Sequence, residues 1–184
     1  SYEKYRALAG FTANQIDCHW RDHPPIYFCG LSAPTRKNDA FLVLRRDGDD
    51  WLSIRIDAVR EVQERGFKAV YLILDDHPPL GSCEASTLNE TLPATLETLK
   101  AGTISLFRAD LDWSLEKDLM NRTVGEVERL PDSSRWRYSL HPGLWSLSSL
   151  LALLGELDTI LVALDTRNPW AFERIGGTHD GVKQ

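Results

Sequence analysis

The stretch Lys68–Asp76, KAVYLILDD, constrains the fold of this chain more than any other. Its β-branched, aromatic and aliphatic residues carry no helical period, and two carboxylates followed by His77-Pro78-Pro79 close it abruptly. A short apolar run bounded by turn residues is the pattern of a buried strand. Two later apolar runs also end in Asp, Thr103–Asp112 (TISLFRADLD) and Thr159–Asp165 (TILVALD).

Helical patterns separate these runs. Asp57 is placed to cap a helix Ala58–Arg65 with Ala58, Val59 and Val62 as its apolar stripe, and Gly66 supplies the left-handed residue after it. Pro93 opens a helix to Ala101 in which Leu92, Leu96 and Leu99 share a face and Gly102 is the stop. Ser146–Leu157 is the clearest helix, with Leu147, Leu150, Leu151, Leu154 and Leu157 on one broad face, and it leads into a strand at Thr159–Leu164. Short helices are expected at Ser114–Met120 and from Thr123, where Glu126 completes a capping box, and a strand at Arg135–Leu140. Nearer the start, Ile26–Leu31 reads as a strand. Phe41–Arg46 and Trp51–Ile56 flank Asp47-Gly48-Asp49-Asp50 as a hairpin, with a helix from near Asp50 as the competing reading. Residues 2–9 give one or two helical turns stopped by Gly10. The expectation is a single α/β domain over 1–184, with a mixed, mostly parallel sheet, helices packed on it and a β-hairpin near the N-terminal side. Residues 1–25 are expected to be an irregular N-terminal segment and 171–184 a loose C-terminal tail.

Such a fold has the material for a core: 42% of the 184 residues are hydrophobic and 26% charged, which rules out disorder throughout. The net charge of -6 argues against sequence-unspecific coating of duplex nucleic acid, which leans on concentrated Lys and Arg. It suits a basic protein partner or a metal-bridged phosphorylated ligand. Three cysteines, Cys18, Cys29 and Cys83, cannot all pair within one chain and point to a reducing, cytoplasmic setting. No signal peptide and no membrane-spanning run is visible in the sequence.

The repeated Asp endings are the one hint of chemistry. In an open α/β sheet, ligands bind at the carboxyl ends of parallel strands. Asp75, Asp76, Asp110, Asp112 and Asp165 would meet there, and Mg²⁺ or Mn²⁺ would relieve their repulsion while bridging phosphate oxygens. A DxD after an apolar strand recurs in primase-type polymerases and in nucleotide-sugar glycosyltransferases. In the primase case a Ser-x-His and a further strand-end Asp follow, and Ser139-Leu140-His141 and Asp165 stand here in that order. Pro142-Gly143 interrupts the strand that should continue after the histidine, and a pattern this short assigns no family. The same aspartates also suit plain turn and capping roles.

Other constellations are thinner. Cys18, His19, Asp22 and His23, with Cys29 nearby, have ligand types suited to zinc, but no CxxC accompanies them. Cys83 with His77 or His141 lacks a nucleophile signature, and there is neither a GxSxG elbow nor a phosphate-binding glycine loop. Of the six tryptophans, Trp113, Trp136 and Trp145 fall in polar or turn contexts and would suit stacking or an interface. Two functions follow. One is a divalent-metal-dependent enzyme acting on a phosphorylated or nucleotide substrate. Asp110, Asp112 and Asp165 would hold Mg²⁺ or Mn²⁺, with Asp165 also in the catalytic set beside His141. Asp75, Asp76 and Trp113 would line the substrate rim. The other is an acidic protein-binding module, of inhibitor or immunity type, with no catalysis.

Overall fold

A computed structural model of the chain describes residues 6–30, 40–43, 51–74, 76–106 and 142–163. In order these form α1 (Arg6–His19), β1 (Tyr27–Gly30), β2 (Ala40–Val43), α2 (Trp51–Glu64), β3 (Ala69–Leu72), a π-helical turn (Thr87–Thr91), α3 (Leu92–Leu99), β4 (Thr103–Ser105), β5 (Gly143–Ser146) and α4 (Leu147–Ala163).

The expected mostly parallel sheet is not formed. β3, β5 and β4 make a three-stranded antiparallel sheet in that order, with Leu72 opposite Gly143, Val70 opposite Trp145 and Ile104 opposite Leu144. Among the described residues the parallel pairing is confined to β1 and β2, a separate two-stranded ribbon in which Tyr27 faces Ala40. Among the described residues the fold is a small mixed one, four α-helices around a short antiparallel sheet.

The sheet is buried on both faces, and its two-residue period sorts the side chains between two layers. Val70, Leu72 and Trp145 join the main core with Leu52, Val59 and Val62 of α2 and Leu147, Leu150, Leu153, Leu154, Leu157 and Leu161 of α4. The alternate positions Ala69, Tyr71, Leu144 and Ile104 pack with Leu92 and Leu96 of α3. Trp145, in a turn context by sequence, is thus a buried strand residue at 3% exposure.

The helices explain where the sequence patterns mislead. α4 runs on through Thr159–Ala163, where a strand was expected. Only Asp158 stands between Leu157 and Thr159, with no Gly or Pro to stop the helix, and Leu161 continues the leucine stripe and is fully buried. Leu151 is only partly buried, while Leu153 takes a core place. α2 begins at Trp51, so there is no hairpin arm at Trp51–Ile56. Leu52 and Ile54 alternate like a strand because this helix packs on two sides, against α4 and against β1, where the Cys29 thiol reaches the Ile54 carbonyl at 3.7 Å. Asp57 is consequently inside the helix, 3.7 Å from Arg60, rather than at its start. α1 replaces most of the irregular N-terminal segment: Ala9, Thr12, Ala13, Ile16 and Trp20 are buried at helical spacing, and Gly10 lies within the helix. Gly66 closes α2 at φ +90°, as its sequence position suggests. α3 stops at Lys100, which takes the left-handed conformation at φ 50°, rather than at Gly102. A Cβ on Gly102 would instead press on Ser149 of α4 at 3.3 Å.

The expected helices between 114 and 131, the strand at Arg135–Leu140 and the tail at 171–184 lie outside the described residues.

Candidate functional site

Antiparallel pairing gives the sheet two unlike ends. β3 and β4 both run antiparallel to β5, so they point the same way. Leu72 and Ser105, the last residues of β3 and β4, both lie opposite Gly143, the first residue of β5. Beyond this edge the Leu106 amide donates to the Pro142 carbonyl at 2.9 Å and holds the two chain crossings together.

The turn after β3 stands at the same edge. The His77 amide donates to the Leu74 carbonyl at 3.1 Å. The His77 Nδ1 lies 2.8 Å from Asp76 Oδ1, and with the carboxylate ionised it is Nδ1 that donates. The His77 side chain is 30% exposed and that of Asp76 63%, so a small molecule has access to the pair. Pro78 and Pro79 fix the backbone that follows. This pair was legible only as neighbouring residues: two ionisable side chains directly after a strand are the signal, and nothing in the sequence tells that they bond.

Of the residues assigned to the metal site and its rim, Asp76 is the described one, and it lies on this edge as an exposed carboxylate. Asp75, Asp110, Asp112, Trp113, His141 and Asp165 lie outside the described residues. The strand that was to deliver Asp165 is helical through Ala163, so that carboxylate does not follow a strand of the sheet.

A second polar group lies where α1 meets the π-helical turn. The Trp20 indole donates to Asn89 Oδ1 at 2.9 Å, and Asn89 Nδ2 donates to the Asp22 carbonyl at 3.0 Å. Trp20 meets Tyr71 edge-on with centroids 4.8 Å apart. In the π-helical turn the Leu92 amide bonds to Thr87. The next donor in that series would be residue 93, but Pro93 has no N–H, and the Tyr71 hydroxyl donates to the Leu88 carbonyl instead. Burial pushes the Tyr71 phenol up to about 12. These contacts satisfy buried groups and explain the π-turn as a packing feature.

The residues considered for zinc are engaged otherwise. His19 Nε2 is 3.2 Å from Gln15, and His23 has Nε2 at 2.8 Å from Asp17 and Nδ1 at 2.7 Å from the Pro24 carbonyl. Among the described residues no cluster of three His, Cys, Asp or Glu has the geometry to hold a metal ion. Burial pushes the thiols of Cys29 and Cys83 up, away from the thiolate a nucleophile needs. No described helix is long and apolar enough to cross a membrane.

No family model, no curated protein and no solved structure matches this chain.

Proposed function

We propose that the edge where β3 and β4 end and β5 begins binds Mg²⁺ or Mn²⁺, and that the protein is a metal-dependent enzyme acting on a phosphorylated or nucleotide substrate. One observation supports this reading: the shared direction of β3 and β4 against β5. Asp76 stands just past β3; Asp110 and Asp112 come four and six positions after Leu106, and His141 directly precedes Pro142. In this reading Asp110 and Asp112 supply most of the negative charge for the cation and Asp165 completes the set. Asp75, Asp76 and Trp113 line the rim, and His141 contacts phosphate. The cation offsets the repulsion among the carboxylates and binds phosphate oxygens.

Thermal melting with and without Mn²⁺ tests this. A ligand at a hundred times its dissociation constant stabilises by about 2.7 kcal/mol, which for this size raises Tm by roughly 5–10 °C. The wild type should show that shift, and Asp112→Asn should abolish it while leaving the metal-free protein as stable or slightly more so. No Mn²⁺ shift in the wild type, together with weaker capture of a basic partner by Asp112→Asn, would favour an acidic binding module.

A further inference from the structure

We propose that the long side of β3 that faces away from β5 is a dimer interface, where β3 of a second copy of this chain pairs with it antiparallel. The proposal is independent of the metal-dependent reading. β3 is an outer strand of its sheet, with β5 on one side only among the described residues. The Leu147 amide donates to the Lys68 carbonyl at 2.9 Å, so that carbonyl is on the β5 side. Backbone groups alternate sides along a strand. Val70 and Leu72 therefore bond toward β5, and the N–H and C=O groups of Ala69, Tyr71 and Ile73 point away from it. Among the described residues no hydrogen bond reaches these outward groups. Every residue of β3 is half-buried, whereas Gly143, Leu144 and Trp145 of the central β5 are buried. Outer strands are ordinarily protected by a charge, a proline, a bulge or a short length. β4, on the other side of the sheet, has only three residues. β3 has none of these devices: its pairing with β5 runs without a bulge, and Ala69–Leu74, AVYLIL, holds neither charge nor proline. That composition favours pairing between chains.

Charge decides the occupant. Lys68 stands exposed before this apolar run, and Asp76, its side chain 63% exposed, stands after it. Two copies of β3 aligned antiparallel bring the basic start of each to the acidic end of the other, whereas parallel alignment sets like against like. With the two-fold axis at Tyr71, that residue exchanges two backbone hydrogen bonds with its counterpart. Ala69 of each copy then exchanges two with Ile73 of the other. Val70 lies opposite Leu72, and Lys68 opposite Leu74, within a lysine's reach of the turn that carries Asp76. The result is one continuous sheet with three strands from each copy. Because the axis is two-fold, the pairing closes as a dimer instead of growing into a fibre.

The test is sedimentation of the full chain over a concentration series, with amide hydrogen exchange measured at both ends of the series. The wild type should pass from monomer to dimer. The amides of Ala69, Tyr71 and Ile73 should exchange about tenfold or more slowly in the dimer, while those of Val70 and Leu72, already bonded to β5, change little. Lys68→Glu, at an exposed position, should weaken dimerisation by about tenfold. Lys68→Glu combined with Asp76→Lys should restore it to within about threefold of the wild type. A wild type that stays monomeric up to about 1 mM overturns the proposal. So does a dimer whose three outward amides exchange as fast as in the monomer, because its interface then lies elsewhere. A charge swap that fails to restore pairing overturns it too. If a foreign extended peptide slows these amides in a chain that stays monomeric, the side of β3 belongs to another partner and the assignment to a second copy falls.

Discussion

Leu144 and Trp145 are neighbours on one strand, yet each is the anchor of a different layer, Leu144 beneath α3 and Trp145 beneath α4. A residue-by-residue division of this kind makes individual polar groups at the layer boundary expensive to change. Tyr71 is the clearest case. Its ring packs under α3 and against Trp20, and its hydroxyl serves the Leu88 carbonyl that Pro93 leaves open. The folded phenol titrates at about 12, above its ordinary 10.0, because burial disfavours the anion. The unfolded chain therefore loses this proton first as the solution becomes alkaline. Stability from this group is full below about pH 10 and declines as pH rises toward 12, so denaturant midpoints should fall across that window. In Tyr71→Phe this contribution to the decline should be absent, although Leu88 then lacks its donor at a baseline cost of about 1–3 kcal/mol. An equal alkaline decline in both proteins would show that Tyr71 is not the group responsible.

At the scale of elements, α4 decides the fold, because a helix through Thr159–Ala163 takes one strand away from the expected sheet. Gly155 sits in its exposed face, and a Cβ there would meet nothing within 4 Å. Gly155→Ala should therefore stabilise the protein by about 0.5–1 kcal/mol in chemical denaturation, through helix propensity alone. Gly66→Ala should do the opposite, by roughly 1–2 kcal/mol, since its φ of +90° suits no other residue well although the space around it is open. Destabilisation by Gly155→Ala would contradict the helix. Much of this layer was legible in the sequence. β1, β3, β4 and the start of α4 stand near their expected places because short apolar runs with clear punctuation leave little choice. The errors arose where two periods overlapped. Leu52-Ser53-Ile54-Arg55-Ile56 alternates like a strand, but its apolar spacing carries on through Val59 to Val62 as a helix packed on two sides. Thr159-Ile160-Leu161-Val162 is β-prone by composition, but Leu161 belongs to the stripe begun at Leu147. Gly143–Ser146 escaped notice as a strand because Pro142-Gly143 reads as a turn, and its burial comes from the sheet closing around it. Pairing direction depends on such distant partners, and no local pattern encodes it.

For the whole molecule, the lesson concerns how a small antiparallel sheet gathers chain crossings. The sequence suggested that strand-end acids converge through parallel order. Here β3 and β4 share one direction because β5 lies between them and runs the other way. Asp76 and His77 mark that edge in the described chain, while Asp165 follows a helix and its place in the site has lost its original reason. The central claim is that this one edge, and not its opposite, is the functional end. The most direct test is a map of paramagnetic broadening by Mn²⁺ over the sheet amides. The two ends lie about 10 Å apart on β3 and β5 and about 7 Å apart on the three-residue β4, and the effect falls with the sixth power of distance, so the gradient along each strand tells the ends apart. The amides of Leu72, Ser105, Leu106 and Gly143 should broaden strongly, those of Ala69, Thr103 and Ser146 should stay sharp, and Asp112→Asn should restore the first group. Broadening centred on Ala69, Thr103 and Ser146, or spread without preference along the sheet, would contradict the account.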